Sequence, residues 1–265
     1  MMRRIFKIGY AIAMAIGVVA MGTSSHASTI TWMTSVDLFA GGNNDMFVST
    51  NGTLAAAVNY TTDTSLSPVL NGVTFVGTNA SATATGGTGE TIALGGGGDN
   101  TGAFGDGAFS SMIPIFDLLR SGAFNIPDVT LGGLVPNTIY EIQIFSHDGR
   151  GSRNDAAAAF GDGTGSGPVG ELDLNNTGLN INAGTAGTGD FITGTFLATS
   201  ATKTFQVFGD GNLADNGGVP NFSTAISQAA INAIQLRAIE VIPEPSSLAL
   251  LGLMGLGMAA RRRKE

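Results

Sequence analysis

Between residues 28 and 242, apolar and polar side chains alternate in short runs broken by Gly, Asn, Asp and Pro. The clearest runs are TITWMTSV (29–36), DMFVST (45–50), GTLAAAVNY (52–60), GVTFVG (72–77), TIYEIQIFS (138–146), DFITGTFLAT (190–199), TKTFQVFG (202–209) and AAINAIQLRAIEV (229–241). In TIYEIQIFS, Tyr140, Ile142 and Ile144 fall on one face and Ile139, Glu141, Gln143 and Phe145 on the other. Period-two alternation rich in β-branched and aromatic residues marks half-buried antiparallel strands. Without helical segments repeating between them, these strands predict an all-β fold, an antiparallel β-sandwich of jelly-roll type. One run departs from the pattern. In SSMIPIFDLLRSG (110–122), Ile115, Leu118 and Leu119 have helical spacing, which predicts one short helix. The stretches 79–102 and 161–189 are poor in bulky apolar residues and read as long surface loops.

The two ends have a different pattern. Residues 1–27 open with Arg3, Arg4 and Lys7, continue into IGYAIAMAIGVVAMG and close on small residues. This is the order of a secretory signal peptide, expected as a helix and expected to be cut by signal peptidase between Ala27 and Ser28. At the other end, Pro243, Glu244 and Pro245 precede an apolar run, 246–260, and then Arg261, Arg262, Arg263 and Lys264. Fifteen residues as a helix reach about 22 Å, short for a hydrocarbon core of about 30 Å but extensible by its flanks. The run is therefore expected to be a transmembrane helix with its basic end cytoplasmic. Three segments follow: a signal at 1–27, a β-sandwich domain at 28–242 and a tail at 243–265.

Charge narrows the partners. Of the 12 Lys and Arg, three lie in the signal and four in the tail; of the 20 Asp and Glu, only two lie outside the middle. The middle therefore carries 18 acids against 5 bases, a surface that repels phosphate backbones and excludes nucleic acid as a partner. There is no cysteine, so disulfides, thiolate–zinc sites and thiol nucleophiles are excluded.

Candidate chemistry in the middle is sparse. Phe-Gly-Asp-Gly occurs at 104–107, 160–163 and 208–211 and reads first as turn chemistry. Asp210, Asn212 and Asp215 in GDGNLADNGG supply oxygen ligands for a candidate structural calcium ion, without the EF-hand spacing. In HDGRGSRND, His147 reads as a turn-edge histidine, while Asp148, Arg150 and Arg153 either fix their loop or offer hydrogen bonds to sugar hydroxyls. Trp32, the single tryptophan, is the candidate stacking platform for a sugar ring. Glu90, Glu141, Glu171 and Glu240 are the carboxylates from which a glycoside-hydrolysing pair would have to come, though none has an aromatic-rich setting. No cofactor is expected.

The Pro-Glu-Pro triplet, the short apolar run and the Arg-rich end resemble the PEP-CTERM sorting signal of Gram-negative bacteria. The resemblance implies export across the inner membrane, a transient membrane tether, processing by an exosortase, and release or attachment at the cell surface, where extracellular polysaccharide is the expected partner. LGGLVPNTIYEIQIFSHDGRGSRN, FITGTFLATSATKTFQVFGDGN and INAIQLR together resemble galactose-binding-like jelly-roll domains of exported bacterial proteins. The expectation is a non-catalytic surface or biofilm-matrix protein, structural or adhesive. Two alternatives stand beside it: a carbohydrate-active enzyme using paired carboxylates, and a calcium-stabilised adhesin.

Overall fold

The computed structural model of the chain describes residues 28–38, 44–96, 98–100, 122–147, 157–164, 178–180, 189–210 and 230–241. The expected signal helix and the transmembrane run at 246–260 lie outside them, as does the helix expected at 110–122 except for its last residue, Gly122, which is in a strand. Among the described residues the only helical element is a 3-10 turn, Asn44–Phe47, and no helix is long and apolar enough to cross a membrane.

Two sheets form the body. The first is built from β1 (Thr31–Trp32) and β2 (Val36–Leu38), both on β15 (Gly189–Leu197), followed by β12 (Thr138–Ser146), β18 (Ala233–Val241), β3 (Thr53–Tyr60) and β6 (Val76–Thr78). All pairings in it are antiparallel except β3 with β6. The second runs β14 (Gly178–Asn180), β13 (Ala157–Phe160), β16 (Lys203–Asp210), β11 (Asp128–Gly132), β8 (Thr91–Leu94), β7 (Ala84–Thr85), antiparallel throughout. A third, small sheet of β17 (Ala230–Ile231), β10 (Gly122–Phe124) and β9 (Gly98–Asn100) adds Ala123, Ala230 and Ile231 to the main core. From β11 on, the chain steps back and forth between the two large sheets, through β12, β13, β15, β16 and β18, the crossing pattern expected of a β-sandwich. A hairpin of β4 (Val69–Leu70) and β5 (Val73–Thr74) completes the set. Its two-residue turn is Asn71-Gly72, both with positive φ, the geometry that matches the twist of flanking strands.

The main core lies between the sheets. Tyr140, Ile142 and Ile144 of β12, Ile234 and Leu236 of β18 and Val58 of β3 meet Ile92, Val129, Leu131, Phe160, Phe205 and Val207. The alternation in TIYEIQIFS thus places Tyr140, Ile142 and Ile144 inward. Its other face is also covered. Phe145 joins Leu38, Val48, Leu70, Phe75 and Phe191 in a second apolar cluster on the outer side of the first sheet.

That cover explains one difference from the sequence pattern. DMFVST, expected as a strand, forms the 3-10 turn and then a strap lying over the sheet instead of beside it. The strap's backbone is satisfied by side chains: Ser49 N–H donates to Gln143 Oε1 (2.8 Å), Gln143 Nε2 donates to Phe47 O (3.0 Å), Gln235 Nε2 to Ser49 O (2.7 Å), and Arg237 Nη2 to Gly52 O (3.0 Å). Buried backbone requires such partners, and here polar residues of β12 and β18 supply them in place of a ladder.

The stretch 79–102, expected as a loop, contains β7, β8 and β9. Ile92 alone of TIAL is fully buried, too weak an apolar signal to mark a strand whose pairing with β11 is long-range. Gly178–Asn180 likewise forms a strand inside 161–189. The Phe-Gly-Asp-Gly copies divide: in 160–163 Phe160 ends β13 and the chain then turns, with Gly163 at φ 78°, whereas Phe208, Gly209 and Asp210 are strand residues paired with β13, and 104–107 lies outside the described residues.

Candidate functional site

Among the described residues, chemically distinctive groups gather at the end of the first sheet where the chain leaves the body and in a cleft on the outer face of the second sheet.

At the first, β18 lies between β12 and β3, and its last residues pair as Glu240 with Ile139 and Val241 with Thr138. Pro243 follows after a single residue, so the sorting triplet joins a central strand with no linker. A bulge opposite Ile139 and Tyr140 leaves Ile239 39% exposed. Ser28, the first residue after the expected signal cut, is docked: its hydroxyl donates to Leu197 O and its carbonyl accepts from Lys203 Nζ. Ile30 N–H donates to Asp162 O (2.8 Å). Burial pulls the Lys203 ammonium below its ordinary pKa, the nearby Asp162 carboxylate acting against that shift. Ala27, Pro243, Glu244, Pro245 and Arg261–Arg263 themselves lie outside the described residues.

The cleft, about 400 Å³, is lined by Asp128 of β11, the turn Gly161–Thr164 and Thr204–Gln206 of β16. Strand alternation explains its chemistry. Phe205 and Val207 point into the core, so Thr204 and Gln206 point out, and the register sets Gln206 opposite Asp128 and Thr204 opposite Thr130. The two threonine hydroxyls are 2.9 Å apart. Asp162 accepts from the Thr164 N–H (2.8 Å) and hydroxyl (2.7 Å), which fixes the turn that walls the cleft. Carboxylates, hydroxyls and a carboxamide thus share one concave surface.

Trp32 is not on this surface. It is 8% exposed and lies one layer beneath the cleft, its ring against Phe160 (centroids 5.4 Å) and Phe205 (5.6 Å), its indole N–H donating to Gly161 O (3.1 Å). It positions the turn and offers no stacking face, which corrects the sequence expectation. The alternation of β1 is consistent with either face; only the partner sheet decides.

His147 is buried just past the end of β12, its backbone N–H on Asn232 Oδ1 (2.6 Å), and not at an exposed turn edge. Asp148, Arg150 and Arg153 lie outside the described residues. Asp210 is the last residue of β16, while Asn212 and Asp215 lie outside. Of the candidate carboxylates, Glu90 is buried and accepts from the hydroxyls of Tyr140 (3.2 Å) and Thr88. Glu141 is buried beneath the strap, facing Arg237 across the β12–β18 pair. Burial lowers the Arg237 pKa and the Glu141 carboxylate opposes that shift. Both glutamates serve the interior. Among the described residues no group of three or more His, Asp or Glu side chains has metal-binding proximity.

Sequence reasoning missed Asp128, Thr204 and Gln206. The alternation of TKTFQVFG put Thr204 and Gln206 on one face, but only the register with β11 brings Asp128 to them.

Residues 241–264 match the model of the PEP-CTERM protein-sorting motif. No curated protein matches the chain. Among solved structures, a Bacteroides uniformis beta-glucuronidase superposes with a TM-score of 0.41 at 14% identity, over 71% of this chain and 18% of that one. Bacteroides uniformis beta-glucuronidase 2 covalently bound to cyclophellitol-6-carboxylate aziridine gives 0.39 at 14% identity, with the same coverage. The chain thus spans less than a fifth of the length of either enzyme.

Proposed function

Starting from a chain that carries the PEP-CTERM sorting motif, and is therefore exported and passed to an exosortase, we propose a non-catalytic surface or extracellular-matrix protein, structural or adhesive, that contacts polysaccharide through the cleft of Asp128, Asp162, Thr204 and Gln206. The observation that carries this reading is the junction itself: a finished β-sandwich whose central strand runs directly into the sorting segment. The body is cargo, and its exposed polar cleft is the feature most suited to a hydroxyl-rich partner. The commitment of Glu90 and Glu141 to interior hydrogen bonding and pairing supports binding over hydrolysis.

The test is a glycan array with the exported protein, run with calcium and with chelator, beside an Asp128→Ala/Gln206→Ala variant. The variant is expected to lose most of the signal on whichever polysaccharide the parent retains. Each side chain lies on an exposed sheet face, so folding should be little changed. No retention by the parent in either condition would leave a scaffold role alone, and retention unchanged in the variant would move the contact off the cleft.

A further inference from the structure

The two places where the chain leaves the body lie at one end of one sheet. Ser28 is held on Leu197, Leu197 pairs with Ile139, and Ile139 pairs with Glu240, one residue before β18 ends. Adjacent strands lie about 4.8 Å apart, so the exits through β1 and β18, three strand spacings from one another, are separated by about 14 Å. Beyond Val241, the apolar run begins at Ser246, a reach of at most about 17 Å for five extended residues. On the other side, the apolar run of the signal ends at Gly22, six residues before Ser28. Any membrane that holds either segment must lie close against this end.

The surface there suits such contact. Val135 is 52% exposed and Ile239 39%, and the neighbouring exposed residues Asn51, Thr53, Pro136 and Thr199 carry no charge. The middle of the chain is strongly acidic, so an anionic lipid surface repels most of it; at this end the register sets one acid, Glu240, beside the exposed Val135 and Ile239, and the ammonium of Lys203 stands against Asp162 next to Ser28. At the opposite end of β3, the exposed Asp63 adds to that repulsion. We propose that the end of the sandwich formed by Val135–Asn137, Thr199 and Ile239 is a lipid-facing surface that rests on the outer leaflet of the inner membrane for as long as the sorting tail is attached. The inference depends on the export reading and adds to it an orientation and a contact face.

The absence of cysteine makes the test direct. Thr199→Cys and Thr62→Cys, exposed sites at the two ends, are labelled with a small fluorophore in the full chain. The chain is incorporated into phosphatidylethanolamine–phosphatidylglycerol vesicles containing headgroup-spin-labelled lipid. Nine residues of β12 separate the ends by about 30 Å, well beyond contact quenching. Quenching several-fold stronger at position 199 than at 62 is expected. Equal or reversed quenching in protein that floats with the vesicles overturns the orientation and leaves the export reading standing. Failure to float overturns both. A photo-cross-linker at Val135 that captures protein and not lipid in intact cells overturns the bilayer as the occupant of this surface.

Discussion

Gly194→Ala tests whether the lone tryptophan is the keystone of the sandwich end. In the β1–β15 pair Trp32 stands opposite Gly194. A Cβ at 194 would lie 2.5 Å from Cε3 and 2.7 Å from Cζ3 of Trp32, and 2.8 Å from Ile30 Cγ2. Carbon atoms in contact prefer about 3.5–4.0 Å, so the methyl overlaps the ring by about 1 Å. The ring has no room to retreat, because Phe160 and Phe205 lie against it and its N–H is tied to Gly161 O. Gly194 does not have a positive φ, so the backbone itself accepts alanine. Overpacking of this kind costs about 1–3 kcal/mol, and the reduced freedom of the unfolded chain returns about 0.4–1 kcal/mol. The expected net loss is about 1–2 kcal/mol. Trp32→Leu, itself costly by about 3 kcal/mol, removes two of the three close contacts and leaves only the 2.8 Å approach to Ile30 Cγ2, so in that background Gly194→Ala is expected to cost no more than about 0.5 kcal/mol. The coupling energy is then about 1–2 kcal/mol, read from a double-mutant cycle of urea unfolding followed by far-ultraviolet circular dichroism, since Trp32→Leu abolishes tryptophan fluorescence. An equal cost for Gly194→Ala in both backgrounds refutes the packing of Trp32 on Gly194.

Other side chains give independent tests. Tyr60 is fully buried and its hydroxyl has no hydrogen-bond partner, so Tyr60→Phe is expected to raise stability by about 1 kcal/mol in urea titrations. Burial also raises the pKa of Tyr60; that of Tyr140 is raised by burial first, with the Val135 N–H acting against the shift and Glu90 adding to it. A raised folded-state value keeps these phenols neutral in the fold while the unfolded chain ionises near pH 10. Their contribution is therefore complete below about pH 10 and lost above it, by up to about 1.4 kcal/mol per pH unit per group; Tyr60→Phe should flatten the fall of Tm between pH 10 and 12. Lys203→Met keeps the apolar stem but removes the bonds to the Ser28 and Gly163 carbonyls. It is expected to cost about 1–2 kcal/mol and to speed aminopeptidase trimming of the segment before β1, followed by mass spectrometry.

The sequence pattern made the long strands legible because each carries several inward apolar residues: β3, β12, β15, β16 and β18 coincide closely with the runs that alternate. It hid β8 and β11, whose short segments each bury only one or two bulky side chains and owe their conformation to each other and to β16. DMFVST has strand composition, yet Gln143, Gln235 and Arg237 offer it better partners across the face of a sheet than any strand offers along an edge. The sorting junction was readable because its information is local, a triplet, an apolar run and a basic end. The cleft was not, because it depends on which strands become neighbours, and the same ignorance placed Trp32 on the surface when Phe160 and Phe205 enclose it.

The position of β18 between β12 and β3 has a consequence for the order of events during export. The strand that follows every other described strand in the chain is the one that joins the two halves of its sheet, so no earlier described strand can close that sheet ahead of it. The chain is thus kept from premature completion while it is threaded, and maturation waits on arrival of the carboxyl end. Closure of the sheet therefore waits on the strand that immediately precedes the sorting motif.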